Sequence, residues 1–174
     1  AHAVCHGRND VNLLRWVLGQ QLDLVAAVAS AHLRQMSSGR YGIRRNDEEG
    51  GLGAKGLDLR IDDVHTGRSR EPRSLSGGEQ FQASLALALG LADVVSRAGS
   101  ARSHSPEALF IDEGFGSLDQ NALDEAISTL HGLQEQGRMV GVITHVEAMK
   151  ERLHPGIVVE RRPDGRGSEL TVNP

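Results

Sequence analysis

Residues 74–80 read Ser-Leu-Ser-Gly-Gly-Glu-Gln and open a long segment with helical periodicity. Ser76 and Glu79 have the S-x-x-E spacing of a capping box, in which two side chains satisfy backbone N–H groups at a helix start. Gly77 and Gly78 let the backbone come close to a ligand, and a helix N-terminus presents N–H groups with a partial positive charge. The pattern predicts an anion site suited to phosphate, although alone it is equally typical of a plain glycine-rich helix start.

A pair of carboxylates ends an apolar run at residues 108–113, Ala-Leu-Phe-Ile-Asp-Glu. At the carboxyl end of a strand, Asp112 could hold Mg²⁺ directly or through water, and Glu113 could polarise an attacking water. Most isolated patterns of this kind are ordinary strand ends.

Two further groups follow along the chain. Ser117, Leu118 and Asp119 form a turn that could simply cap the next helix. A strand over residues 139–144 leads to His145, whose imidazole could sense or stabilise a terminal phosphate. A lone His at a strand end is more often structural.

The order of these four elements is more specific than any one of them. It resembles the order of signature motif, Walker B, D-loop and switch histidine in ABC ATPases. Within that superfamily the chain most resembles the SbcC family of DNA double-strand-break repair ATPases, through residues 36–41, 74–81 and 110–119. The resemblance runs from about residue 9 to residue 172 and is most specific between Leu75 and His145.

The resemblance implies how the signature loop works. Two heads sandwich two ATP molecules, and the signature loop of one head covers the γ-phosphate bound by the other. Ser76 donates its hydroxyl and Gly78 its backbone N–H, with Gly77 and Glu79 in the same loop. The D-loop, formed by Ser117, Leu118 and Asp119, lies at the dimer interface, where Asp119 aligns the two heads.

It also implies the catalytic groups and the cofactors, ATP and Mg²⁺. Asp112 helps to bind Mg²⁺, Glu113 acts as general base toward water, and His145 contacts the γ-phosphate. ATP-driven closure of the heads then controls an SbcD-like nuclease and the grip on double-stranded DNA. The expected location is the cytoplasm, in association with the nucleoid.

One part of an ATP site is not found in the sequence. No G-x-x-x-x-G-K-[ST] motif occurs, and Lys55 has no Ser or Thr after it. In the SbcC family, Walker A belongs to an N-terminal lobe that a long coiled coil separates from the C-terminal lobe. We therefore expect this chain to bind that N-terminal lobe, and to hydrolyse no ATP alone.

The elements that must position these groups are read from hydrophobic spacing. Residues 11–36 carry apolar side chains at steps of three and four, which predicts a helix that the resemblance identifies as a coiled-coil stub. The predicted domains are a possible linker at 1–8, the end of the coiled coil at 9–37 and the head lobe at 38–174. Further predicted helices cover 79–98, 121–136 and 146–153.

The predicted strands divide into two kinds. Residues 41–45 and 57–62 form a small antiparallel region, followed by a polar loop at 65–73. Strands at 108–111, 139–143, 157–160 and 169–172 alternate with helices or follow a turn, which indicates a parallel α/β sheet. The predicted fold class is thus α/β, the C-terminal half of an ABC ATPase head.

Composition limits the alternatives. The 174 residues are 24% charged and only 3% aromatic, with a net charge of −4 and one cysteine, Cys5. No apolar run approaches the roughly 20 residues of a membrane span. A transporter nucleotide-binding domain is disfavoured, because the Gly114–Phe115–Gly116 link lacks the Pro-Thr usual there. A clamp that binds ATP without hydrolysis is the other alternative, disfavoured by Glu113 and His145.

Overall fold

The computed structural model describes residues 13–46, 57–99, 108–112, 114–163 and 165–173. Predictions for residues 9–12, for the loops at 47–56 and 100–107 and for Glu113 lie outside these ranges. In chain order the elements are α1 (Leu13–Met36), β1 (Tyr41–Arg45), β2 (Leu59–Asp63), β3 (Arg68–Arg70), a 3₁₀ turn (Pro72–Ser74), α2 (Gly77–Gly99), β4 (Ala108–Asp112), α3 (Gln120–Glu135), β5 (Met139–Ile143), α4 (Glu147–Lys150), β6 (Gly156–Arg161) and β7 (Ser168–Asn173). The mixed α/β fold class is confirmed.

Helices α1 and α2 pack closely around one of two hydrophobic cores. Gly90 of α2 lies against Ala29 of α1, and a Cβ on Gly90 would stand 2.7 Å from the Ala29 nitrogen. This core also holds Leu33, Tyr41 and Ile61, so it joins both helices to the first sheet. The close approach depends on the absence of a side chain at Gly90.

The apolar stripe of α1 is buried only along its second half. Ala29 and Leu33 are fully buried, whereas Leu14 and Leu18 are exposed. A stripe that leaves the lobe in this way fits a coiled-coil stub, which remains a prediction.

The first sheet is antiparallel, in the order β1–β2–β3. Its third strand, β3, corrects the prediction of a loop over residues 65–73. Ile61, Asp62 and Asp63 pair with Arg70, Ser69 and Arg68 across a turn at Gly67, whose φ is +64°. Because β3 is a polar edge strand held by backbone pairing, its side chains show no apolar alternation that sequence reading could detect.

The second core lies between the sheet β4–β5 and helices α2 and α3. Strands β4 and β5 are parallel, as predicted, with Asp112 opposite Ile143. Its largest fully buried side chains are Leu89, Phe115, Leu130 and Met149. The opposite face of this sheet exposes Phe110 and Met139, at 69% and 60% of their full surface.

The last two strands correct a second prediction, that only the first half of the chain holds antiparallel strands. β6 and β7 pair antiparallel, from Gly156 opposite Asn173 to Arg161 opposite Ser168. The connection is too short for a parallel crossover, which needs a dozen or more residues. The two strands therefore form a hairpin.

Element ends differ slightly from the predicted ones. Helix α2 begins at Gly77 rather than residue 79, and α4 covers only Glu147–Lys150 of the predicted 146–153. Among the described residues, no helix is long and apolar enough to cross a membrane.

Gly90→Ala should destabilise the chain by about 1–3 kcal/mol, because the new methyl group would overlap the Ala29 backbone. The matched control is Gly132→Ala in α3, where a Cβ would meet nothing within 4 Å. That change should stabilise by about 0.5–1 kcal/mol through helix propensity. Urea unfolding measures both, and equal effects at the two positions would contradict the tight crossing.

Candidate functional site

The loop before α2 is anchored on both sides of Ser76. Leu75 is buried in the first core, and Ser76 is exposed. The Gln80 side chain donates to the Leu75 carbonyl at 3.0 Å, and the Gln80 backbone N–H donates to the Ser76 carbonyl at 2.8 Å. An exposed serine is thus held at the start of a long helix by a buried neighbour and a side-chain bridge.

Ser76 and Glu79 form the predicted capping box. The Ser76 N–H donates to Glu79 Oε2 at 2.9 Å, and the Glu79 N–H donates to Ser76 Oγ at 3.3 Å. A hydroxyl that accepts one hydrogen bond keeps its own proton to donate. The Ser76 hydroxyl can therefore donate to an anion at the helix start without losing its role in the cap.

Behind the capping box lies a polar network that the motif alone does not predict. Tyr41 donates its hydroxyl proton to Glu79 Oε1 at 2.5 Å, and Arg40 Nη1 lies 3.5 Å from the same oxygen. Arg40 and Arg70 both contact the buried Asp63, with closest distances of 3.3 Å. In the sequence, Arg40 and Tyr41 stand out only as part of the junction at 36–41.

The network shifts the pKa values of its members. Burial, and then the hydrogen bond to Glu79 and its charge, raise the pKa of Tyr41 to about 12. Burial alone would raise the pKa of Glu79, but hydrogen bonds from Tyr41 and Ser76 and the Arg40 charge outweigh it, so that pKa lies below its usual value. Glu79 is thus an anion and Tyr41 a neutral donor at neutral pH.

The two glycines of the loop pack against the start of α3. A Cβ on Gly77 would lie 3.3 Å from Leu118 Cδ2, and one on Gly78 would lie 3.2 Å from the Ala122 Cα and overlap the Glu125 carboxylate. Gly78 therefore needs glycine for internal packing, whereas a side chain at Gly77 would require Leu118 to shift slightly. The motif by itself predicts only that these glycines let a ligand approach.

Asp119 is the N-cap of α3, since its carboxylate accepts the Ala122 N–H at 2.8 Å. Phe115 is fully buried, and its ring lies 5.3 Å from that of Phe81 on α2. The turn over residues 114–119 is thus fixed by an aromatic anchor at one end and a helix cap at the other. The helix-cap interpretation of Asp119 is correct for its contacts within the chain.

Asp112 and His145 lie near the carboxyl ends of two adjacent parallel strands. Asp112 is the last residue of β4, pairs with the last residue of β5, and is exposed. His145 follows β5 by two residues, and its Nε2 would stand 3.4 Å from a Cβ on Gly116. Ligands of open α/β sheets bind at this edge.

The site residues thus form two groups. In the first group, the loop at 76–79 packs against Leu118 through Gly77. In the second group, Asp112 ends β4, and His145 lies against the turn at Gly116 that follows this strand. In the described part of the chain, no three His, Cys, Asp or Glu side chains cluster as a metal site. A single exposed carboxylate fits Mg²⁺, which usually keeps waters and phosphate oxygens as its other ligands.

The chain has relatives among known proteins. The family model "SbcC/RAD50-like, Walker B motif" matches residues 55–132. The SbcC subunit of the nuclease SbcCD from Vibrio cholerae serotype O1 is 50% identical over 146 residues, covering 82% of this chain and 14% of that protein. Its counterpart from Staphylococcus aureus strain JH9 is 44% identical over 163 residues, covering 92% and 16%.

Solved structures show the same fold. An SMC ATPase studied for ATP-driven dimerization and DNA-stimulated activation superposes with a TM-score of 0.57 and 19% identity, covering 91% of this chain and 88% of that one. The SMC head domain from Thermotoga maritima gives 0.55 and 17%, covering 91% and 51%.

The chain has the fold of an SMC ATPase head, and its relatives identify it as the C-terminal lobe of an SbcC-type head. The chain belongs to the SbcC/RAD50-like family. It spans about a seventh of the length of the curated relatives it matches. The transporter alternative is not favoured, because these relatives are nuclease subunits.

Glu79→Gln should lower the free energy of unfolding by about 1 kcal/mol at neutral pH, because the NH₂ group that replaces one carboxylate oxygen cannot accept the hydrogen bond that Tyr41 or Ser76 donates to it. The folded-state pKa of Glu79 is lowered, so its contribution is full above the unfolded pKa of about 4.3 and is lost as pH falls through the folded value. Parent and variant should therefore converge in urea unfolding at acid pH. A difference independent of pH would contradict the assigned charge.

Proposed function

We propose that this chain is the C-terminal lobe of an SbcC-like DNA repair ATPase, and that it completes ATP sites shared by two heads. The capping box carries the proposal, because it presents Ser76 at an exposed helix start with its hydroxyl proton available. The proposed ligand is the γ-phosphate of ATP held by the opposite head. The Ser76 hydroxyl and the Gly78 backbone N–H would contact it, and the helix start would favour its negative charge.

The second group would serve the ATP bound by the lobe's own head. Asp112, at the carboxyl end of β4, would supply one oxygen ligand to Mg²⁺. Mg²⁺ would neutralise charge on the phosphates, Glu113 would accept a proton from the attacking water, and His145 would contact the γ-phosphate. The contact between His145 and the Gly116 turn supports this arrangement, because it keeps the imidazole near the end of β4.

The turn over residues 117–119 would couple the two groups. Leu118 lies against Gly77, so a partner that displaces the turn would also displace the loop that carries Ser76. In the proposed dimer, Ser117, Leu118 and Asp119 would lie at the interface between heads. Asp119 would keep its helix cap there, because the cap uses only Oδ1 and leaves Oδ2 for a partner group.

An N-terminal lobe with a Walker A loop is the first partner that the proposal requires. The exposed face of the β4–β5 sheet is apolar, with Phe110, Met139 and Ile143 all exposed. Burying each such side chain contributes about 1.5–3 kcal/mol. We propose that the N-terminal lobe covers this face.

The remaining partners come from the names of the relatives. Those relatives are subunits of the nuclease SbcCD, so an SbcD-like nuclease and double-stranded DNA are the proposed partners of the full protein. Closure of two heads on ATP would regulate the nuclease. Such a complex would work in the cytoplasm, at the nucleoid.

Reconstitution tests the shared site. The chain alone should hydrolyse no ATP, and adding the N-terminal lobe as a second polypeptide should restore turnover. Phe110→Glu should abolish this association, because it places a charge in the buried joint, yet leave the chain folded since Phe110 is exposed. Val64→Glu, an equally exposed apolar position in the turn after β2, is the control and should bind normally. Robust ATPase activity without the N-terminal lobe would contradict the proposal.

In the assembled head, Glu113→Gln should permit ATP binding and head closure but slow hydrolysis about 10²–10⁴-fold, because an amide cannot accept the proton. Asp112→Asn should instead weaken the Mg²⁺ site, so the ATP-bound dimer should not accumulate. Light scattering and phosphate release distinguish the two variants. A passive clamp would be indifferent to Glu113→Gln, and parent rates in both variants would show that these carboxylates only end a strand.

A further inference from the structure

The Glu79 carboxylate connects the signature serine to residues outside the signature loop. Oε2 accepts the Ser76 backbone N–H, while Oε1 accepts the Tyr41 hydroxyl and lies 3.5 Å from Arg40 Nη1. Whatever fixes Glu79 therefore fixes the backbone from which the Ser76 hydroxyl projects.

The Tyr41 side chain is buried and is held by two arginines. It is 2% exposed, and the guanidinium carbons of Arg40 and Arg70 lie 4.6 and 5.6 Å from its ring centroid. Arg70 Nη2 also donates to the Tyr41 hydroxyl at 3.0 Å, so the single hydroxyl proton is directed to Glu79. Buried Asp63 orients both arginines.

Tyr41 is also tied to the end of α1. Its backbone N–H donates to Ser37 Oγ at 3.0 Å, and the same hydroxyl donates to the Leu33 carbonyl in the last helical turn at 2.7 Å. Ser38 and Gly39, whose φ angles are +52° and +86°, form the turn between α1 and β1. The place where α1 ends thus determines where the Tyr41 hydroxyl lies.

We propose that Tyr41 and Arg40 are positioning residues for Ser76, acting through Glu79 to hold the signature loop in the form that closes over a γ-phosphate. This proposal rests on the proposed role of Ser76 toward the opposite head. Neither residue touches the nucleotide. Their effect belongs to the pairing of heads rather than to the binding of ATP by one head.

Tyr41→Phe in the assembled head tests this separation. Loss of one hydrogen bond to a charged acceptor should raise the ATP concentration needed for head pairing about tenfold and lower the maximal ATPase rate. The affinity of a single head for ATP should not change, because Tyr41 and Ser76 would act only on the nucleotide held by the opposite head. Arg40→Gln should act in the same direction.

A matched control is available in the same sheet. Arg44 pairs with Asp62 at 3.1 Å on the solvent side and does not contact Glu79. Arg44→Gln removes an ion pair from the same strand region as Arg40→Gln and should leave pairing and turnover at the parent level. Equal loss in both arginine variants would show that the sheet needs its charges only for folding, and would overturn the proposal.

The network also has a spectroscopic signature, because Tyr41 is the chain's single tyrosine. Absorbance titration of the 174-residue chain should give a pKa of about 12 for Tyr41. Glu79 on α2 faces the hydroxyl as an acceptor, while Arg40 before β1 and Arg70 on β3 face it as cations. Glu79→Gln should bring the pKa down, since the neighbouring negative charge is removed. An ordinary pKa in the parent chain would show that the hydrogen bond is not formed.

Ser76→Arg separates failure of this proposal from failure of the proposed function. It should abolish ATP-induced pairing, because the new side chain would occupy the γ-phosphate position. If it does so while Tyr41→Phe and Arg40→Gln pair like the parent, the positioning role is wrong and the shared site stands. If Ser76→Arg also pairs normally, the shared site itself is wrong. Should Tyr41→Phe fail to fold, as circular dichroism would show, Arg40→Gln against Arg44→Gln decides the question.

Discussion

The geometry of the loop at residues 76–79 depends on the hydrogen bonds that the partly buried Glu79 carboxylate accepts. A carboxylate in such a place needs donors for its oxygens, and here they come from the loop itself, from the residue that follows the end of α1 into β1, and from a guanidinium. The result is a loop whose exposed serine is defined by buried groups. Removal of any one donor leaves the charge less satisfied, so the loop, the junction after α1 and the first sheet behave as one unit.

Helix α2 transmits this constraint to the rest of the lobe. Its first two residues touch the turn before α3, its middle touches α1 at Ala29, and its side chains contribute to both hydrophobic cores. Glycines occupy the two contacts where α2 comes closest to the backbone of another helix, at Gly78 and Gly90. At these contacts the neighbouring helices leave little room for a larger side chain on α2.

Most elements could be predicted from the sequence because their apolar side chains recur at the period of the structure they form. The strands β1, β4 and β5 and the three long helices were predicted within a few residues. Strand β3 was missed because the side chains of a polar edge strand show no apolar alternation along the sequence. The β6–β7 pairing was misjudged because strand periodicity does not reveal direction, although the short turn between the strands does.

The motif residues could be predicted from the sequence, whereas the polar network around Glu79 could not. Several motif residues also make hydrogen bonds that are common at any helix start: Ser76 and Glu79 cap α2, and Asp119 caps α3. A short pattern of this kind is therefore consistent both with a structural cap and with a nucleotide-binding motif. Only the order of several such patterns along the chain distinguishes the two. The contacts that Arg40 and Tyr41 make with the buried network have no such pattern, because they join residues 23 to 39 positions apart. Long-range polar contacts of this kind are seen only once the fold brings their elements together.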